Sequence, residues 1–270
     1  MKGTLDVAVT EPIHLAQDAA AGKPVLGFAR FFHTDGGVMY LSSTGIKSPK
    51  DMCGKTIQYP GSPGPGGPAI VNTMVKADGG DCTNNSYGRH NNGFYHTDAL
   101  RKGDADIATL IFYNFEMVEA NHLGLDANFF SLKDWGVPDF CQLVLFTTPE
   151  KYKSSKPGLR KLVLAVRRAT GFIHRNPSAA ASHYTNYASR TGALPSRPSL
   201  LRRLNPFTMM RRSKEAKLER ETMKATLPAF PNDNTLSEGY NDALMGWLVE
   251  TGQVESSEGV ESYWTNEIAL

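Results

Sequence analysis

Lys55-Thr56-Ile57-Gln58-Tyr59 runs into Pro60-Gly61-Ser62-Pro63-Gly64-Pro65-Gly66-Gly67-Pro68 and then into Ala69-Ile70-Val71. The first run reads as a short strand. The last opens a helix that reaches Ala77, with Pro68 in its first turn, where a missing N–H costs nothing. Between them, glycines let the backbone approach a ligand closely. Free N–H groups and the dipole at a helix start favour negative charge. The stretch therefore reads either as a cradle for an anionic or polar ligand or as a proline-stiffened surface connection. It is not a Walker A loop, because no Gly-Lys-Ser/Thr follows, and its glycine spacing is not that of the dinucleotide fingerprint.

Working outward, residues 5–9 read as a buried strand. Residues 13–21 read as a helix opened by Pro12 and closed by Gly22. Residues 25–32 and 37–41 are strand-like, and Ser48-Pro49-Lys50-Asp51 is a turn. Beyond the central stretch, the Asn- and Gly-rich residues 81–93 predict loop. Residues 98–103 predict a short helix, 106–111 a buried strand, 113–123 a helix closed by Gly124, and 140–147 a long apolar strand. Residues 157–175 predict an amphipathic helix, because Leu159, Leu162, Val163, Val166, Thr170 and Ile173 share one face. Residues 179–187 and 236–251 predict two more helices. This alternation argues for an α/β fold.

The 270-residue chain is long enough to bury a core and to divide into two lobes. Its 40% hydrophobic and 21% charged residues are ordinary for a globular protein. A net charge of +2 gives no pull toward nucleic acid or a membrane surface. No apolar run approaches the roughly 20 residues that span a bilayer, so direct membrane insertion is not expected. Met1-Lys2-Gly3-Thr4-Leu5-Asp6 carries neither a signal core nor a transit pattern. Cys53, Cys82 and Cys141 are odd in number and widely spaced, which predicts reduced structural thiols rather than a disulfide framework or a metal site. Arg197, Arg202, Arg203, Arg211, Arg212, Lys214, Lys217 and Arg220 form a basic segment. Glu215, Glu219 and Glu221 partly neutralise it, and no aromatics interleave, so it predicts a solvated helix face and no nucleic-acid partner.

Four phrases, in this order, carry a resemblance over nearly the whole chain: Gly3-Thr4-Leu5-Asp6-Val7-Ala8-Val9-Thr10-Glu11-Pro12-Ile13-His14, the loop and helix start at 60–71, Gly103-Asp104-Ala105-Asp106-Ile107-Ala108, and Gly246-Trp247-Leu248-Val249-Glu250-Thr251-Gly252. The chain resembles the thiamine-pyrimidine-synthase-like family, which includes solute-binding components of ABC importers. The resemblance implies a type II periplasmic-binding-protein fold, with two α/β lobes around a ligand cleft. It implies residues 1–51 and 142–270 as one lobe and 52–141 as the other, with Tyr40-Leu41 and residues 141–146 near the crossings. Family members begin with a strand and helix that precede the unit at Leu5, so the first lobe is expected to be N-terminally truncated. A missing strand exposes a sheet edge, so either something, such as a protein partner, covers it or the first lobe is rearranged. The compartment expected for the chain as it stands is cytoplasmic or organellar, and periplasmic if a signal-bearing N-terminus is missing.

The enzymes of that family use a lysine that binds pyridoxal phosphate, a histidine four residues on that is consumed, and a cysteine-rich run with iron. By the motif match His14 takes the histidine position, Thr10 stands where the lysine belongs and cannot form an imine, and only Cys141 remains of the cysteine run. The resemblance thus favours a binding protein without a cofactor over an enzyme. The candidate ligand residues are Glu11, His14, Ser62, Gly64, Gly66, Gly67, Asn114, Glu116 and Asp139. Glu11 stands at a strand end, where ligands gather in open α/β sheets. His14 reads either as a cleft residue or as one on the helix surface, and His90 and His96 are expected to be exposed. Phe31-Phe32, Phe112-Tyr113, Phe115 and Trp135 suit a flat heterocycle, although most such residues are core. No histidine pair has metal-site spacing. Three functions follow: a solute-binding protein for a pyrimidine-like or anionic molecule, a thiamine-pyrimidine synthase, or an accessory subunit of a larger assembly.

Overall fold

The computed structural model describes residues 5–191 and 217–269. Its first elements are β1 (Ala8–Thr10), α1 (Pro12–Ala20), β2 (Leu26–His33), β3 (Gly36–Leu41) and β4 (Thr56–Gln58). Next come α2 (Gly66–Ala77), β5 (Gly88–His90), α3 (His96–Lys102), β6 (Ile107–Phe112), a π-helical turn (Tyr113–Met117), α4 (Val118–His122) and β7 (Ala127–Ser131). The chain continues through β8 (Gln142–Thr147), α5 (Pro149–Arg175) and α6 (Pro177–Thr191). Residues 217–226 are helical (α7), and α8 (Glu238–Glu250) follows.

Among the described residues the strands form two sheets, ordered β1-β8-β2 and β5-β4-β6-β3-β7. The α/β class is thus the one expected. β3 pairs with β6 and β7, so the chain passes to the larger sheet at residues 34–35 and returns between β7 and β8. The expected division at residue 51, with Tyr40-Leu41 at a crossing, puts β3 on the other side. Gly36 and Gly37 explain the early passage. A Cβ at Gly36 would stand 1.9 Å from Cys141 Sγ, and one at Gly37 would stand 2.2 Å from the Phe130 carbonyl oxygen. The two crossings meet where Thr34 N–H donates to the Cys141 carbonyl at 3.1 Å.

Other differences have local causes. α5 begins at Pro149 rather than Pro157, because Thr148 caps it, its hydroxyl accepting from Lys151 N–H at 3.1 Å. β5 lies inside the stretch expected to be loop and is drawn into the sheet by parallel pairing with β4. Cys53 and Cys82 form a disulfide, which corrects the expectation of reduced thiols. α2 returns alongside the turn at Pro49–Met52, Lys50 N–H donates to Asp78 Oδ2 at 3.0 Å, and two cysteines 29 residues apart arrive with Cα atoms 5.9 Å apart. Cys141 is free and buried. Arg197, Arg202, Arg203, Arg211, Arg212 and Lys214 lie outside the described residues. Lys217 pairs with Glu221 at 3.6 Å. No described helix is long and apolar enough to cross a membrane.

One apolar cluster joins the two sheets. It takes Ile13 and Leu15 from α1, Val38 from β3, Ile57 from β4, Ile70 and Met74 from α2, Val144 from β8, and Leu244 and Leu248 from α8. Trp247 of α8 stacks on Phe140 with ring centres 6.3 Å apart and donates its indole N–H to Thr73 Oγ1 on α2 at 3.0 Å.

Candidate functional site

The crossings gather charge. Glu11 follows β1 and precedes Pro12, so it stands where the sheet gives way to a helix. Glu116 comes from the π-helical turn after β6, a local insertion of a kind frequent at functional sites. Just upstream, Leu110 holds φ +61°, a strained conformation for a side chain of its size. Asp139 and Cys141 come from the second crossing, and Asp35 from the first.

Cys141 lies within electrostatic reach of all four carboxyls. Burial, and then the charges of Glu11, Asp139, Glu116 and Asp35, raise the Cys141 thiol well above its ordinary value. Burial, and then Asp139, Cys141, Tyr263 and Glu11, do the same to Tyr240 of α8. Burial raises Glu11 and Glu116 from 4.5 to about 7 each, because an ionised carboxylate loses its water there. Glu116 regains part of that through Phe112 N–H, which donates to its Oε2 at 2.9 Å. Asp139 Oδ2 meets His33 Nε2 at 2.8 Å, whereas Asp139 Oδ1 and the Tyr240 hydroxyl are buried without a hydrogen-bond partner. An aromatic wall flanks Glu116. Phe32 stacks on Phe115 at 6.4 Å with ring planes 11° apart, and Phe112 lies 6.1 Å from Phe32. Phe115 keeps an exposed ring face, whereas Trp135 lies apart against Phe130.

The other candidates stand differently. Asn114 is buried, donating to Thr226 Oγ1 at 2.8 Å, with its Oδ1 unpartnered. His14 is exposed on α1, its Nδ1 3.0 Å from Thr10 Oγ1 and its pKa lowered by partial burial. His96, expected to be exposed, is instead fully buried at the start of α3, with both ring nitrogens unpartnered and burial lowering it to about 4. The spacing of α3 turns it inward with Ala99 and Leu100.

The Pro/Gly loop is held by its carbonyls. Ser62 O accepts from Asn91 Nδ2 at 3.0 Å, Pro63 O from Arg89 Nη1 at 2.7 Å and Gly64 O from the Tyr59 hydroxyl at 2.6 Å. Gly67 lies against the Tyr59 ring, where a Cβ would come within 2.5 Å, and Gly66 faces the Gln253 side chain. The N-terminus of α2 is thus presented on a braced loop, beside the last segment of the chain. Two surface cavities, of about 460 Å³ between α4 and α7 and about 430 Å³ between α1 and residues 253–258, lie elsewhere.

Sequence reasoning missed Tyr240, His33 and Asp35. Tyr240 sits in an ordinary amphipathic helix start, and nothing in Ser237-Glu238-Gly239-Tyr240 marks it.

Comparison with known proteins places this geometry. A family model described as NMT1/THI5 like matches residues 1–180. A formylaminopyrimidine-binding protein of Halalkalibacterium halodurans is 31% identical over 143 residues, 53% of this chain and 42% of its own. A 4-amino-5-hydroxymethyl-2-methylpyrimidine phosphate synthase of Legionella pneumophila is 29% identical over 182 residues, 66% of this chain and 55% of its own. The chain thus spans about half the length of these curated relatives. Among solved structures, the alkanesulfonate-binding protein SsuA of Xanthomonas axonopodis pv. citri, bound to MOPS, superposes with a TM-score of 0.68 at 14% identity. That match covers 98% of this chain and 81% of the other.

Proposed function

The chain belongs to the NMT1/THI5-like family, and on that premise we propose that it is a binding protein for a small, flat heteroaromatic solute of the pyrimidine type. The observation that carries this is that Glu11, Asp139 and Glu116 act on the buried Cys141, and Glu11 and Asp139 on the unpartnered Tyr240 hydroxyl, where the chain passes between its sheets near the Phe32–Phe112–Phe115 wall. An aromatic face and a few convergent polar groups are what such a ligand needs. The relative that binds a formylaminopyrimidine supports the ligand class. The braced loop at Ser62, Gly64, Gly66 and Gly67 supplies the polar end of the site, and Asn114 and His14 border it.

The synthase reading implies pyridoxal phosphate and iron, and the residues do not fit them. Thr10 offers a hydroxyl, shared with His14, where an amine is required. Cys141 is buried, and among the described residues no three His, Cys, Asp or Glu side chains are placed to hold a metal ion. The Cys53–Cys82 disulfide supports an oxidising compartment. The outer edge of β1, where Val9 is exposed, is where a covering partner would pair.

Native mass spectrometry of the protein from its own source, against the denatured mass, tests the reading. A co-purifying heteroaromatic mass supports it. An unliganded protein that binds no member of a pyrimidine panel overturns it.

A further inference from the structure

The cavity of about 460 Å³ between α4 and α7 shares no lining residue with the site at the crossings. Its size falls in the range of roughly 300–1,000 Å³ that small ligands occupy. Its walls are two facing helix stripes. Val118, Asn121 and His122 stand at i, i+3 and i+4 on α4, and Lys217, Glu221, Lys224 and Ala225 at i, i+4, i+7 and i+8 on α7. Two contacts hold the helices at this spacing. His122 Nδ1 meets Glu221 Oε2 at 3.1 Å, and Asn114 Nδ2, just before α4, donates to Thr226 Oγ1 at the end of α7 at 2.8 Å. The charges along the walls do not balance. Glu221 is engaged twice, by His122 and by Lys217 Nζ at 3.6 Å, and chiefly the His122 hydrogen bond holds its carboxyl below the ordinary value. Lys224 has no ion-pair or hydrogen-bond partner among the described residues. One carboxylate against two lysines leaves the cavity positive. The His122 side chain is only 10% exposed, and with Nδ1 on Glu221 its Nε2 has no partner among the described residues.

We propose that this cavity is a second binding site, for a small organic carboxylate with an apolar body. Lys224 anchors the carboxylate through a charge-assisted hydrogen bond. Val118 and Ala225 take the apolar body, and Asn121 and His122 Nε2 offer polar contacts to its substituents. Lys217 and Lys224 lie seven residues apart, about 10 Å along the helix axis. A compact inorganic anion therefore reaches one of them and not both, and leaves the apolar wall uncovered. An organic cation would meet Lys224 with like charge, and the one carboxylate that could receive it is already engaged by His122 and Lys217.

The test is a titration of the isotope-labelled full chain with benzoate, followed through its assigned amide resonances. Benzylammonium, which reverses the charge, and inorganic phosphate, which lacks the apolar body, are titrated beside it. Benzoate should shift the amides of residues 118–122 and 217–226 saturably, and the other two should not. Lys224→Gln should weaken benzoate by about five- to tenfold, the loss of one charged contact at an open site, and Lys224→Arg should restore most of it. Ala225→Phe fills the cavity and should abolish binding. Lys224 is exposed, so Lys224→Gln carries the test if the filled variant does not fold. Benzoate shifts that do not saturate or that map elsewhere overturn the inference. So does benzylammonium or phosphate bound as tightly as benzoate, or a Lys224→Gln variant that binds benzoate like the parent.

Discussion

Glu11 and Glu116 set the energetics of the site at the scale of single residues. Each is raised from 4.5 to about 7 by burial. Between those values the folded chain binds more protons than the unfolded one, so stability falls as pH rises through that window. The full shift is worth on the order of 3 kcal/mol per group, less where the two influence each other. Glu11→Gln keeps the shape and removes the charge. Urea unfolding should therefore find it about 1–3 kcal/mol more stable than the parent at pH 8 and close to the parent at pH 4.5, with ligand affinity lowered; an equal effect at both pH values counts against a buried acid. His96 works in the opposite direction. Its ring, unpartnered and fully buried, is lowered to about 4. Its contribution is complete above the unfolded value near 6.5 and is lost as pH falls toward 4, a loss on the order of 3 kcal/mol. His96→Leu should flatten the acid limb of the stability profile. An unchanged acid limb would show that His96 does not titrate on unfolding. None of this is visible in the residue string: Glu11 follows from its strand-end position, but the burial of His96 depends on a helix register that one histidine among asparagines does not announce.

At the scale of elements, the segment from Cys53 to Cys82 is a closed unit that holds β4, the Pro/Gly loop and α2. Opening a loop of 29 residues restores roughly 3–4 kcal/mol of chain entropy to the unfolded state. Cys53→Ser, or treatment with a thiol reductant, should lower stability by about that much; a loss under about 1 kcal/mol would mean that Lys50 and Asp78 already hold the ends. Within the unit, Gly67 touches the Tyr59 ring, so Gly67→Val forces that ring away and should cost about 1–3 kcal/mol together with ligand affinity. Gly61→Ala meets only open space but stands at φ +83°, and should cost about 1 kcal/mol with affinity retained. Strand, loop and helix here were legible because proline and glycine punctuate them and α2 buries one apolar face. β5 was not: Gly88-Arg89-His90 has no alternation of its own, and it is a strand because Thr56, Ile57 and Gln58 offer an edge in parallel. β7, Ala127–Ser131, is half-buried throughout, pairs along β3, and likewise owes its state to tertiary pairing. The disulfide was illegible for the same reason, since it depends on where α2 ends in space. The carboxyls of the site could be read one at a time from strand ends, whereas their common reach to Cys141 required the crossings.

At the scale of the whole molecule, the chain is two sheets with one apolar cluster across them, and α8 is the strut. Trp247 touches both sides: its ring lies on Phe140 beside the second crossing, and its N–H reaches Thr73 on α2. The Thr73 hydroxyl also donates to the Ala69 carbonyl, so it keeps one partner when the indole is removed. Trp247→Phe should therefore cost only about 1 kcal/mol, the net worth of a hydrogen bond. Trp247→Ala removes the ring from a site with 5% exposure and should cost about 3–5 kcal/mol. The shared cluster fixes how that loss is distributed. If the sheets unfolded independently, deleting the strut would split denaturation into two steps. With Ile13, Val38, Ile57, Ile70, Val144 and Leu248 in one cluster, Trp247→Ala should instead move a single transition to lower denaturant. Hydrogen exchange in β4 and in β8 should accelerate by the same factor. Unequal acceleration in the two sheets, or a biphasic unfolding curve, would establish two separable lobes, and α8 would then be a clasp between them rather than part of a common core.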